Sequence, residues 1–172
     1  MLTPQAASER AAALVERARR AGADAADAVY IASSSEGVSV RLGKLEDVER
    51  AESENIGLRV FVGRRSASIG SSDLADAALD ELASRAIDMA RAAPEDPWAG
   101  LAPQDRLAKG PFPDFDVDSG EEPTPATLRA MAEEAEDAAR ATAGITNSDG
   151  ASPGPGRSVM ALATSDGLVG GH

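Results

Sequence analysis

Acid–base and metal chemistry draw on a short list of side chains, and the sequence offers few of them. His172 is the single histidine and the last residue, and there is no cysteine. A zinc site needs several His, Cys or carboxylate ligands converging on one point, which one terminal His does not provide. The absence of Cys removes thiolate metal sites, a Cys nucleophile and disulfides. Carboxylates are plentiful and fall in clusters: Glu46-Asp47-Val48-Glu49, Glu133-Glu134 with Asp137, and Glu95-Asp96 between Pro94 and Pro97. Paired carboxylates can serve as general acid and base, but a solvated helix face or sheet edge accounts for all three. The serine-rich stretches "ASSSEG" (32–37) and "SASIGSSD" (66–73) have no His or Lys placed to activate a hydroxyl. Turn and cap chemistry explains them.

"SPGPGRS" (152–158) is rich in glycine, but it lacks both the Gly-Lys-Ser/Thr ending of a phosphate loop and the Rossmann spacing. Arg64 and Arg65 form a basic pair at a turn, where contact with an acidic partner and simple solvation are both compatible with the pattern. Trp98, in "EDPWAGL", is expected to anchor a connection to the sheet or a helix. These residues give no catalytic, cofactor-binding or metal-binding assignment in this chain.

The elements that would position any site follow from periodicity. A first helix is expected over 4–21, where Pro4 suits a first turn, Ala11, Leu14, Val15 and Ala18 share a face, and Gly22 stops the helix. Strands are expected at 27–34 and along 37–62, with Val38, Val40 and Leu42 on one face. The charged run at 46–55 reads as an exposed edge or hairpin arm. "GLRVFVGRRSASIGSSDL" (57–74) reads as two strands about a basic turn, with Leu58, Val60 and Val62 on the buried face, followed by a helix capped by Ser72 or Asp73. Leu79, Leu82, Ala83, Ala86, Ile87 and Ala90 form that helix's stripe.

The stretch from Pro94 to Pro125 reads as an extended connection pinned by Trp98, Leu101, Phe112 and Phe115. A third helix is expected over 126–142 with Leu128, Met131, Ala132, Ala135 and Ala139 on its apolar face, then strands near 144–150 and 157–165. The fold class is α+β: two layers, a mostly antiparallel sheet of four or five strands packed with three helices. The last strand appears without a completed pairing partner before the Gly-rich end, which reads as truncation. The division expected is a domain over 1–150 and the start of a further segment over 151–172.

A formal net charge of -12 repels a phosphate backbone and an anionic membrane alike, so neither nucleic acid nor membrane is an expected partner. No stretch approaches the ~18 apolar residues of a membrane span, and no secretory signal is visible. Cytoplasmic residence is the default expectation.

Several long phrases occur in a fixed order: "ADAADAVYIASSSEGVSVRLGKLEDVER", "IGLRVFVGRRSASIGSSDL", "APEDPWAGLAP", "GITNSDGAS" and "VMALATSDGLVGG". Together, over residues 20–171, they resemble the N-terminal domain of the TldD/PmbA family (peptidase U62, modulator of DNA gyrase). "RLGKLEDVE" and "PEDPWAGL" are most similar to its PmbA (TldE) branch. The resemblance implies a subunit of a cytoplasmic heterodimeric zinc metallopeptidase that processes peptides or unfolded small proteins. It places the zinc in a TldD-like partner, whose His-Glu-x-x-x-His helix has no counterpart here, so no catalytic residue carries over. The chain is then expected to stop before the family's C-terminal domain. Two other readings stay open: an independent peptide- or protein-binding adaptor module without a peptidase, and a parent protein that carries its own metal motif beyond residue 172.

Overall fold

In the computed structural model, which describes residues 1–107, 117 and 120–172, the chain order is α1 (Pro4–Ala21), β1 (Ala25–Arg41), β2 (Lys44–Val62), β3 (Arg65–Ser71), α2 (Asp76–Ala92), α3 (Pro125–Arg140), β4 (Gly156–Thr164) and β5 (Val169–Gly171). The strands form a five-stranded sheet in the order β3-β2-β1-β4-β5. β2 pairs with β3, and β4 with β5, in antiparallel registers. This is the α+β fold expected from the sequence. The described residues divide into two compact units: 1–33, 53–107 and 158–172 in one, and 34–52, 117 and 120–157 in the other.

The first unit is built by two amphipathic helices on one face of its strands. Thr3 caps α1 by accepting a hydrogen bond from the Ala6 N–H, and Gly22 ends it at φ 108°, a left-handed conformation that costs glycine little. Ala7, Ala11, Leu14, Val15 and Ala18 then meet the α2 stripe of Leu79, Leu82, Ala83, Ala86, Ile87 and Ala90. Alternate strand residues complete this core: Ala26, Ala28, Tyr30 and Ala32 of β1, Ile56, Leu58 and Val60 of β2, and Val159, Ala161 and Ala163 of β4. The small alanines allow helix and sheet to approach closely, which lets a chain with so few aromatic residues bury a continuous core. The helices are joined by Arg17, which pairs with Asp76 at 2.6 Å and Asp80 at 2.9 Å.

The second unit has a smaller core of Val38, Val40, Leu128 and Ala132, with Ala151 against it. Its backbone is stitched by the Val40–Ala151 bridge, by Val38 N–H to the Pro153 carbonyl at 3.3 Å, and by Glu36 N–H to the Pro155 carbonyl at 3.2 Å.

Several expectations need correction. The strands expected at 27–34 and along 37–62 divide differently: β1 runs on to Arg41, the chain reverses at Leu42 (φ 50°) and Gly43 (φ 72°), and the charged run at 46–55 lies on β2, an arm of that hairpin. Leu42 is therefore 49% exposed and does not share the buried face of Val38 and Val40. α2 starts at Asp76 with Ala75 before it and no side-chain cap. Asp73 instead closes a local turn, its carboxylate accepting from the Ala75 N–H, while Ser71 Oγ accepts from the Asp73 N–H. The buried positions of α3 are Leu128, Ala132 and Glu136, whereas Met131, Ala135 and Ala139 are exposed. No strand forms over 144–150; Ala151 makes only its isolated bridge. β4 has a neighbour on either side, so the open pairing expected of it is not found.

Candidate functional site

β1, β2 and β3 each have a second set of alternate residues, directed away from the helices of the first unit. Asp27, Val29 and Ile31 on β1, Gly57, Arg59 and Phe61 on β2, and Ser66, Ser68 and Gly70 on β3 fall on this face. It carries no helix among the described residues of this unit, and Ile31 is 49% exposed. In register, Gly57 faces Gly70 and Arg59 faces Ser68. Two opposed glycines leave out the side chains that any other pair would place there. The result is a shallow depression of about 490 Å³ lined by Asp27, Val29, Gly57, Arg59, Ser68 and Gly70 among others.

Its charged members neutralise each other. Arg59 donates to the Asp27 carboxylate from both Nη2 (2.6 Å) and Nε (2.8 Å), and its guanidinium lies 5.2 Å from the centroid of the Phe61 ring. Asp27 is only 9% exposed, so this pair, hydrogen-bonded and stacked at once, forms a fixed wall. Ser68 is the one hydroxyl in the lining, and the ionisable groups beside it, Asp27 and Arg59, are engaged with each other, so the depression offers no activated nucleophile and is shaped to receive side chains and backbone.

The residues singled out from the sequence are placed elsewhere. Glu46 pairs with Arg41 at 2.6 Å and Glu133 with Arg129 at 2.7 Å, while Glu134 and Asp137 are exposed on α3. Asp96 orders a turn, accepting from the Trp98 N–H on its side chain and from the Ala99 N–H on its backbone. Trp98 itself is 90% exposed and anchors nothing, which corrects the expectation for it. Phe112 and Phe115 lie outside the described residues. Arg65 is not an idle tip residue: it donates to the carbonyls of Arg91 and Ala93 at the end of α2, at 2.9 and 3.0 Å. Arg64 is exposed and forms no ion pair among the described residues. The glycine-rich "SPGPGRS" supplies carbonyls to β1, and His172 exchanges backbone hydrogen bonds with Met160 at 2.9 Å.

Two polar groups escaped the sequence reading. Tyr30, with its side chain fully buried, donates its hydroxyl to Glu54 and accepts from the Leu2 N–H at 3.1 Å. Burial first, and then the bond to Glu54, push its phenol above the ordinary 10.0. Glu136 accepts from the N–H groups of Gly43 (2.8 Å) and Leu42 (2.7 Å). The Gly43 bond, with help from Ser148, holds its carboxyl below the usual 4.5. A polar residue at the next helical repeat after Leu128 and Ala132 was the available signal for Glu136. No group of three or more His, Cys, Asp or Glu among the described residues is placed to hold a metal ion, so these residues offer zinc no fit.

Comparison with known proteins places this geometry. Residues 26–90, which take in nearly all of β1, the whole of β2 and β3 and most of α2, match the model of PmbA/TldA metallopeptidase domain 1. The chain is 32% identical over 150 residues to Metalloprotease PmbA of Escherichia coli O157:H7, covering 87% of this chain and 33% of that protein. The chain belongs to the PmbA/TldD family. The Metalloprotease PmbA homolog of Haemophilus influenzae is 33% identical over 162 residues, covering 90% of this chain and 34% of that one. The chain thus spans about a third of the length of these PmbA relatives. A protein of Bacteroides thetaiotaomicron assigned as a modulator of DNA gyrase shares the fold over 100% of this chain and 39% of its own, with TM-score 0.87 and 24% identity. TldE from Thermococcus kodakarensis shares it over 93% of this chain and 36% of its own, with TM-score 0.75 and 17% identity.

Proposed function

We propose that this PmbA/TldD-family chain is the N-terminal domain of a PmbA/TldE-like subunit that serves a metallopeptidase without supplying its catalytic metal site. The observation that carries the reading is the 32% identity to Metalloprotease PmbA along 87% of the chain. Hydrolysis at a zinc centre needs a ligand set that also leaves a position open for water, and the reading assigns that set to another subunit. In this reading a TldD-like partner holds the zinc, the two subunits work as a heterodimer in the cytoplasm, and the substrates are peptides or unfolded small proteins. The depression on the open sheet face supports a part in holding extended chains rather than cutting them.

The test is reconstitution. The full-length protein, expressed alone and together with a TldD-like subunit, is assayed for zinc by metal analysis and for cleavage of an unfolded reporter such as reduced, alkylated casein. Cleavage confined to the mixture, with zinc tracking the partner, is expected. Zinc and cleavage in the full-length protein alone would make the subunit catalytic in its own right. Failure of the two proteins to associate would leave the adaptor reading.

A further inference from the structure

β3 is an edge strand, and its hydrogen-bonding direction can be worked out from the turn that precedes it. Gly63 (φ 60°) and Arg64 form a two-residue connection closing on the Val62–Arg65 pair. The closing pair of such a hairpin exchanges both ladder hydrogen bonds, and bonded and non-bonded pairs then alternate. The bonded pairs are therefore Val62–Arg65, Val60–Ala67, Leu58–Ile69 and Ile56–Ser71. The N–H and C=O groups of Ser66, Ser68 and Gly70 point away from β2, and no backbone group of a described residue takes them.

Exposed edges are normally blunted by lysine, proline or a bulge. From Ser66 to Ser71 the sequence is Ser-Ala-Ser-Ile-Gly-Ser, with none of these, and the pairing with β2 is regular throughout. Two of these residues, Ser68 and Gly70, line the depression made by the opposed Gly57 and Gly70.

We propose that β3 takes an extended peptide segment as an additional strand, with a bulky apolar side chain of that segment leaning over Gly70 into the depression. Main-chain pairing supplies affinity that tolerates many sequences, and a pocket for alternate side chains supplies selectivity. Because Asp27 and Arg59 satisfy each other, the depression asks for bulk and imposes no charge requirement. A second copy of this chain is the poorer occupant. Its β3 would bring only Ser66, Ser68 and Gly70 to that face, and these side chains are too small to fill a depression of about 490 Å³. The inference deepens the peptide-handling role proposed above and rests on it.

The test uses the 172-residue chain and the acetylated, amidated probe Ser-Thr-Ser-Leu-Ser-Thr-Ser. Amide exchange followed by NMR should show slowing at Ser66, Ser68 and Gly70, with Ala67 and Ile69 unchanged. Two forms of the probe, N-methylated on the odd or the even residues, separate strand pairing from adhesion, because a strand uses only alternate N–H groups. One form should keep its affinity and the other lose about tenfold or more. Replacing the probe leucine with alanine should weaken binding to the parent chain, and Gly70→Val, checked for an unchanged melt, should remove that preference by filling the depression.

No slowing at the three amides in millimolar probe, or equal affinity for both methylated forms, would overturn the proposal. So would protection of those amides in the free chain together with a dimeric sedimentation coefficient, which would give the edge to a second copy. The reconstitution assay is read separately: cleavage by the mixture without probe binding removes only the strand-addition inference, and probe binding without cleavage removes only the subunit role.

Discussion

The carboxylate of Glu136 lies 2.8 Å from the backbone N–H of Gly43, so a helix side chain closes the turn between the two longest strands. The turn needs this support because Leu42, at φ 50°, occupies a region that a branched side chain seldom enters. Its own N–H, at 2.7 Å from the same carboxylate, is satisfied by the arrangement. Glu136 is thereby a structural acid, with both oxygens engaged and none offered to a reaction.

The folded state holds the Glu136 carboxyl below its ordinary 4.5, so its contribution to stability is present above the unfolded value and is lost as pH falls through the folded one. Amide protection at Leu42 and Gly43 should accordingly persist through the ordinary carboxyl value of 4.5 and drop on further acidification. Glu136→Gln should lower that protection at pH 7 and remove its acid dependence, as read by hydrogen exchange. An unchanged acid profile in the variant would contradict this role.

Tyr30 gives the opposite sign. Its phenol is raised above 10.0, so the stability tied to its neutral form is complete below that value and is lost as pH rises through the folded one. As the only tyrosine, it can be followed by tyrosinate absorbance without overlap. The native chain should ionise at higher pH than the same chain in denaturant, and Glu54→Gln should narrow the gap without closing it, because burial is the larger cause.

Val60 is fully buried on β2 among the first unit's core residues. Val60→Asp places an unpaired carboxylate there and should cost on the order of 4 kcal/mol or more. Arg64→Ala should stay within about 0.5 kcal/mol. Arg65→Ala removes two bonds to carbonyls at the α2 end and should cost about 1 kcal/mol. Thermal melts rank the three, and equal effects of the two arginine changes would contradict the contacts of Arg65.

Gly150 has φ 98°, and a Cβ there would meet the Val40 carbonyl oxygen at 2.6 Å. Gly150→Ala should therefore cost about 2 kcal/mol or more through backbone strain and overpacking. The loss should concentrate at the Val40 and Ala151 amides, whose bonds of 3.0 and 2.9 Å lie beside it. Gly100→Ala, which meets nothing within 4 Å, is the control and should be nearly neutral. Exchange rates at the two amides separate the variants.

Where local chemistry and burial agree, the fold was legible. Pro4 and Gly22 bound α1 on the expected residues, and the α2 stripe was read complete because each member is apolar and repeats with the helix. The faces of Leu58 and Val60 followed from alternation, while the turn is shorter than the basic pair suggested, with Arg65 already in β3. α3 was misread because its alanines carry little information about direction: Ala132 is buried, and Ala135 and Ala139 are not. The buried acid Glu136 stands beside Glu133, Glu134 and Asp137, and the sequence reading of that cluster does not single it out. Trp98 was assigned by size, yet the turn beneath it is ordered by Asp96 and leaves the indole outside. The candidate depression was legible only in part: Ser66, Ser68 and Gly70 are small in the sequence, but the meeting of Gly57 with Gly70 depends on a register set by the two-residue Gly63-Arg64 turn.

The exposure of Trp98 has an optical consequence. Being the only tryptophan and 90% exposed, it already emits from water in the native chain, so denaturation should scarcely alter the colour or intensity of its fluorescence. A melt followed that way would look featureless while circular dichroism recorded a full transition. The same blindness to the core makes the indole a quiet background signal: a protein that covers the Asp96 turn would shift its emission to the blue, and collisional quenching by iodide or acrylamide would fall in step with the coverage.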